Sequence, residues 1–249
     1  MWHPIDGSKW DVGHPIEWRE FLRSVELTNY PRRYAYRGQG NSLWRLTPSL
    51  YREAGARASP ARRKSLEKHF MTERLERFKE LYLLRYPGAV DPRLDIYQWA
   101  AIAQHQGLAT PLLDWTFSPV IAAFFAAWYY DLNGRPSTAR IFRMDLIRKP
   151  RNVLLLDTKL TRENLRYYAQ QGAFACVAGE ELFSTFSDCC IDELDRLGTF
   201  LSYVDIPISA DTRDAVLSEL MGLNITIDKM FPDGMSYAID SINWEFRNH

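Results

Sequence analysis

From Pro119 to Tyr130 the chain is apolar at every position, and Ser118 and Asp131 close the run on either side. An all-round apolar segment of this length predicts a helix buried in a globular core rather than one lying on a surface. Ser118 suits its N-cap and Pro119 its first position, where a missing N–H leaves no bond unmade. Asp131, Asn133 and Gly134 predict its end. Just upstream, Leu112-Leu113 predicts a short buried strand, which would put Asp114, Trp115 and Thr116 at a strand-to-helix turn. Backbone N–H groups at such a helix start face outward and hold anions.

The same periodicities organise the rest of the chain. A helix is expected over 15–29, with Trp18, Phe21, Leu22 and Val25 on one face, stopped by Pro31. Tyr34-Ala35-Tyr36 is β-prone and leads into Arg37-Gly38-Gln39-Gly40, where two glycines predict a tight turn or a close backbone approach, with Arg37 at the strand end. A basic loop (Arg57, Arg62, Arg63, Lys64) precedes an amphipathic helix whose apolar face is Leu66, Phe70, Leu75, Phe78 and Tyr82. Glu73 and Arg77 stand there at i,i+4. Pro87-Gly88 ends it. A further helix runs from about Asp95, its N-cap, to Gln106, with Gly107 as the stop.

Beyond the apolar run the pattern changes to strands. Ala139 to Met144 and Asn152 to Leu156 are expected as an antiparallel pair, followed by a helix from Thr161 to Gln171. Strands at Ala173 to Val177 and Thr199 to Ile206 and a helix from Thr212 to Met221 follow. No repeat, low-complexity stretch or linker divides the 249 residues. The expectation is a single α+β domain. A helical N-terminal half would pack on a mainly antiparallel, strand-rich C-terminal half, with the apolar helix buried between them.

Composition adds exclusions. Lys+Arg and Asp+Glu are both 31, so no whole-protein field draws the chain to nucleic acid or anionic membrane, and non-specific nucleic-acid binding is disfavoured. The three cysteines, Cys176, Cys189 and Cys190, lack C-x-x-C spacing and supporting ligands, which predicts free thiols and no metal site. The opening residues carry no signal pattern and no apolar run approaches a membrane span, so a cytoplasmic location is expected. Gly-rich phosphate loops, H-E-x-x-H and G-x-S-x-G are absent, which removes the common nucleotide-triphosphatase, zinc-protease and serine-hydrolase readings.

Several motifs occur in a fixed order. They are Tyr36-Arg37-Gly38-Gln39, Trp44 with Pro48-Ser49-Leu50, Ala103-Gln104-His105 with Gly107, and Thr110-x-Leu112-Leu113-Asp114-Trp115-Thr116. Ser118-Pro119 with Ala122 and Phe125-Ala126, Gln170-Gln171-Gly172-x-Phe174, and Phe231-Pro232-Asp233 complete the set. Together they resemble the FRG domain family, with the motif-bearing region at about 34–235. One departure is Pro111, where the family usually carries Arg. The resemblance implies a bacterial or phage-related protein with a toxin or defence role. The order of Arg-Gly on a first strand, a hydroxyl-bearing strand and S-P-x-x-A leading a helix is also similar, more distantly, to arginine-type ADP-ribosyltransferases. That likeness implies Arg37 as the residue holding NAD, Thr116 and Ser118 near the supporting strand, and Gln170 and Gln171 where a catalytic glutamate would fall. Either another carboxylate, such as Glu180 or Glu181, then moves in, or the chain binds a nucleotide without that chemistry.

Two classes of function follow. In the first, the chain is an NAD-consuming enzyme, ADP-ribosyltransferase-like or glycohydrolase-like, with no tightly bound cofactor and NAD as substrate. Arg37, His105 and Asp114 are its catalytic candidates, and Arg37, Gln39, Gln104, Thr116 and Gln171 its nucleotide-binding candidates. In the second, the same pocket belongs to a non-catalytic sensor that holds a nucleotide or peptide and signals through a protein partner. Each residue also has a plainer reading. Arg37 would be a buried partner of Asp114, His105 a hydrogen-bonded helix-end histidine, and Trp44, Trp99 and Trp115 core residues.

Overall fold

A computed structural model describes residues 2–5, 15–25, 32–52, 59–129, 137–156, 165–179, 190–195 and 198–232. In chain order the elements are β1 (His3–Pro4), α1 (Trp18–Ser24), β2 (Tyr34–Gln39), α2 (Ser49–Arg52) and α3 (Pro60–His69). A π-helical turn at Phe70–Arg74 carries α3 into α4 (Leu75–Arg85). Then come α5 (Ile96–His105), β3 (Leu113–Thr116), α6 (Pro119–Trp128), β4 (Ser137–Asp145) and β5 (Val153–Leu156). The last elements are α7 (Leu165–Ala169), β6 (Gly172–Val177), α8 (Ile191–Leu194), β7 (Leu201–Ile208), α9 (Ala210–Gly222) and α10 (Ile227–Met230).

Among the described residues seven strands form one sheet in the order β1-β7-β4-β2-β3-β6-β5, and every pairing is antiparallel. This is an α+β fold, and its inner strands β2 and β3 come from the first half of the chain. Two of the expected neighbours are not neighbours. β4 pairs with β2 and β7, while β5 pairs with β6 at the far edge, so the segments flanking the Arg148–Arg151 turn do not form a hairpin. The alternating apolar positions of β4 on both of its faces explain why it is used in the sheet interior.

The apolar run is the buried helix α6. Ser118 Oγ accepts the Ile121 N–H at 3.4 Å, Pro119 takes the first position, and seven of its ten residues are buried. The residues expected to end it lie outside the described ones. On one face of the sheet α6 packs with α1, α9 and α10 around Tyr36, Phe21, Phe124, Ile141 and Val204. Towards the β5 edge a second core gathers α3, α4 and α5 around Phe70, Tyr97 and Trp99. The opposite face holds Ala35, Leu113, Trp115, Phe142 and Val177 beneath Ile5, Leu46 and Ile191. Trp99 and Trp115 are thus core residues, whereas Trp44 is 45% exposed.

Other local expectations hold or shift by identifiable causes. Asp95 caps α5 through a full capping box with Gln98, and Gly107 follows it at φ +91°. Arg62, Arg63 and Lys64 lie in α3, not in a loop, because Ser59 caps the helix with Pro60 at its first position. In place of the expected Glu73–Arg77 pair, Glu73 in the π-helical turn meets His69, and Arg77 meets Glu80. The Thr161 cap lies outside the described residues.

Candidate functional site

β2 runs on past the expected strand end, so Arg37 is inside a strand. Its neighbour Gly38 lies against α6, where a Cβ would stand 1.8 Å from Ala122 O. The Arg-Gly pair therefore couples a packing demand to a cation. β2 and β3 share a single register pair, Tyr36 with Thr116. Past it, Arg37 Nη1 donates to the Asp114 carbonyl oxygen at 2.6 Å and stands 4.0 Å from Asp114 Oδ2. Asp114, Trp115 and Thr116 are strand residues, not turn residues, since Phe117 and Ser118 make the turn into α6.

The two charges sit in unlike surroundings. The Arg37 side chain is 15% exposed and that of Asp114 66%, so a buried guanidinium lies beside a carboxylate open to solvent. Burial pushes the Arg37 pKa down, Asp114 pulls it back, and the positive charge of Arg52 lowers it again. Arginine keeps its proton under such pressure. Its Nε is buried with no hydrogen-bond partner.

A directed hydrogen-bond chain fixes Asp114. The Leu112 N–H donates to Thr110 Oγ1 at 3.1 Å, which leaves the Thr110 hydroxyl proton for Gln104 Oε1. With its oxygen so engaged, the Gln104 amide turns Nε2 toward Asp114 Oδ1, at 2.8 Å. Thr110 is wholly buried and also anchors α2. Its N–H donates to Ser49 Oγ at 3.1 Å, and its carbonyl accepts the Leu50 N–H at 3.1 Å. Ser49 and Thr110 were not among the sequence candidates. Their presence in the motif set, as Pro48-Ser49-Leu50 and Thr110-x-Leu112, was the signal.

The remaining candidates are placed differently. Gln39 is buried on β2; its Nε2 donates to Arg45 O at 3.5 Å, and its Oε1 has no partner. His105 is half-buried at the last position of α5, turned by about 100° from Gln104 about the helix axis, where a cation complements the helix dipole. Thr116 donates to Gln170 O at 2.6 Å and accepts the Ser118 N–H at 3.1 Å, so it joins the end of β3 to α6 and to the turn before β6. Gln170 Nε2 donates to Met230 O at 2.8 Å. Gln171 is exposed at φ +45°, with its carbonyl accepting the Phe117 N–H. Phe174 lies opposite Asp114 on β6, so that strand borders the site, while the Gln170 amide is spent on the Met230 carbonyl and Gln171 is exposed. Glu180, Glu181, Cys189 and Asp233 lie outside the described residues. Cys176 and Cys190 are buried free thiols.

The geometry thus defines an antiparallel α+β domain with a cation and a carboxylate where its inner strands part over a buried helix. Residues 32–133 match the sequence model of the FRG domain, and the chain carries that domain over this stretch. The match spans β2 to just past α6 and includes Arg37, Gln104, Thr110 and Asp114. No curated protein and no solved structure matches the chain. Among the described residues no helix is long and apolar enough to cross a membrane, and no group of His, Cys, Asp and Glu is disposed to hold a metal.

Proposed function

We propose that the chain binds a phosphate-bearing nucleotide, NAD or a close relative, at Arg37, Gln104 and Asp114, and cleaves its N-glycosidic bond by ADP-ribosyl transfer or hydrolysis. The observation that carries this reading is the Asp114 carboxylate, solvent-accessible and held between Gln104 and Arg37. A guanidinium matches phosphate oxygens in geometry and charge. A fixed carboxylate stabilises the positive charge that grows on a ribosyl carbon as its bond to nicotinamide breaks, a task no neutral glutamine performs. In that step the bonding pair leaves with nicotinamide. A water or acceptor oxygen then bonds to the anomeric carbon and gives up its proton. Asp114 takes the place in which Gln170 and Gln171 offer only amides. In keeping with the motif resemblance, the role is that of a toxin or defence effector in a bacterial or phage conflict.

A second reading has its own support. Arg37 and Asp114 are already bonded within the fold, a preassembled arrangement that would hold a nucleotide or peptide and signal through a protein partner without turnover. Incubation with NAD, followed by chromatography for free nicotinamide, separates the two. Release by the native chain and its loss in Asp114→Asn is expected for the enzyme. Binding of NAD without release in either protein would leave the sensor.

A further inference from the structure

Arg52 is the last residue of α2, three positions beyond Ser49, and residues three apart share a helix face. Ser49 Oγ is bonded to both the N–H and the carbonyl of Thr110, so that face is turned toward the Thr110–Gln104–Asp114 chain. Leu50 and Tyr51 are buried and hold the short helix in place. The Arg52 guanidinium has one hydrogen bond, from Nη1 to Thr47 O at 3.3 Å, and no carboxylate partner among the described residues. It is exposed, and its charge bears directly on Arg37, whose pKa it lowers. Arg52 therefore adds a second positive charge to the surroundings of Arg37 and Asp114, which an arriving anion would neutralise.

We infer that Arg52 is a second phosphate-binding residue and that the site takes a nucleotide carrying two phosphates in series, Arg37 and Arg52 each holding one. This rests on the nucleotide reading above and adds to it the residue that holds the second phosphate of the diphosphate bridge. The chemistry is that of two cations relieved together by adjacent anionic groups, each through charge-assisted hydrogen bonds. The buried Pro111 between Thr110 and Leu112 offers no cation, so α2 supplies the second one from outside the strand motif.

The test is calorimetric titration of ADP-ribose and of AMP into the wild-type chain, Arg52→Ala and Arg52→Gln, with thermal melting alongside. Arg52 is exposed and makes one backbone bond, so both variants should melt with the wild type. The inference expects wild type to prefer ADP-ribose over AMP. Both variants should lose at least about tenfold in ADP-ribose affinity, with AMP affected much less. Unchanged ADP-ribose affinity, or equal losses for the two ligands, would overturn the role of Arg52 while leaving the nucleotide site intact. Failure of wild type to bind either ligand would remove the site and this inference together.

Discussion

A methyl group on Gly38 would stand 1.8 Å from the carbonyl oxygen of Ala122 and 2.7 Å from the Ala126 nitrogen. Both are helix backbone atoms and neither can swing aside, so β2 lies on α6 only because residue 38 has no side chain. Gly38→Ala should force β2 and α6 apart and cost at least the roughly 1–3 kcal/mol of an overpacked core. Chemical denaturation measures this directly. A variant with the wild-type midpoint would show that strand and helix are not held this closely.

Asp205 and Arg140 stand opposite each other on β7 and β4, fully buried, and are joined by bonds of 2.7 and 2.8 Å, with Tyr203 under the guanidinium at 3.8 Å. Removal of one partner strands the other charge in the core. Asp205→Ala should destabilise the chain by about 3–5 kcal/mol, and a double replacement by apolar residues of matched volume should cost less. The comparison of the two unfolding curves is decisive; equal losses would mean that the stranded charge is not what matters.

How much of this was legible beforehand can be judged from particular residues. α6 was legible because an apolar run with Ser-Pro at its head has few other solutions, and α5 because Asp95 and Gly107 mark both ends. The use of β2 and β3 side by side was not, since strand pairing depends on partners far apart in the chain and short strands carry little periodicity. The same non-locality hid β5 from its true partner β6. At the site, Arg37, Gln104 and Asp114 were foreseen together, yet Thr116 proved to close β3 and Gln171 to lie in the turn before β6. Polar residues close in sequence can serve opposite ends of one strand. Arg52 carried no signal until the Ser49–Thr110 bonds showed which way α2 faces.

Asp145, at the end of β4, should set an acid limit on stability. Its burial favours the neutral form, but Arg33 at 3.1 Å and the N–H groups of Ile147 and Arg148 outweigh that and hold its pKa below the usual carboxylate range. Because the folded pKa lies below the unfolded one, this stabilisation is present above the unfolded value and disappears as pH falls through the folded one. Melting temperature should therefore drop below about pH 4, and Asp145→Asn should melt lower at neutral pH with a shallower acid decline. An unaltered acid slope in the variant would assign the effect elsewhere.

Cys176 and Cys190 should resist alkylation in the folded chain. Burial pushes the Cys176 thiol far up, and burial with the charges of Glu193 and Asp192 pushes Cys190 up to about 12. Only the thiolate reacts, and at about pH 7 almost none exists at either position. Mass spectrometry after iodoacetamide treatment should find both unmodified until denaturant is added. Rapid native labelling of either would contradict their placement.

The central claim is that Arg37 and Asp114 form a nucleotide site, and calorimetric titration of NAD and ADP-ribose into wild type, Arg37→Ala and Asp114→Ala tests it most directly. Asp114 is open to solvent, so Arg37→Ala strands no charge in the core, whereas Asp114→Ala leaves the buried Arg37 guanidinium without its nearest carboxylate and counts only if it melts with the wild type. Arg37→Ala should cost roughly 1–3 kcal/mol of stability and leave the chain folded, with melting as the control. Saturable binding to wild type is expected, weakened by at least the roughly 1.5–3 kcal/mol of a charge-assisted hydrogen bond in folded Arg37→Ala. No binding to wild type at millimolar ligand, or equal affinity in wild type and Arg37→Ala, would contradict it.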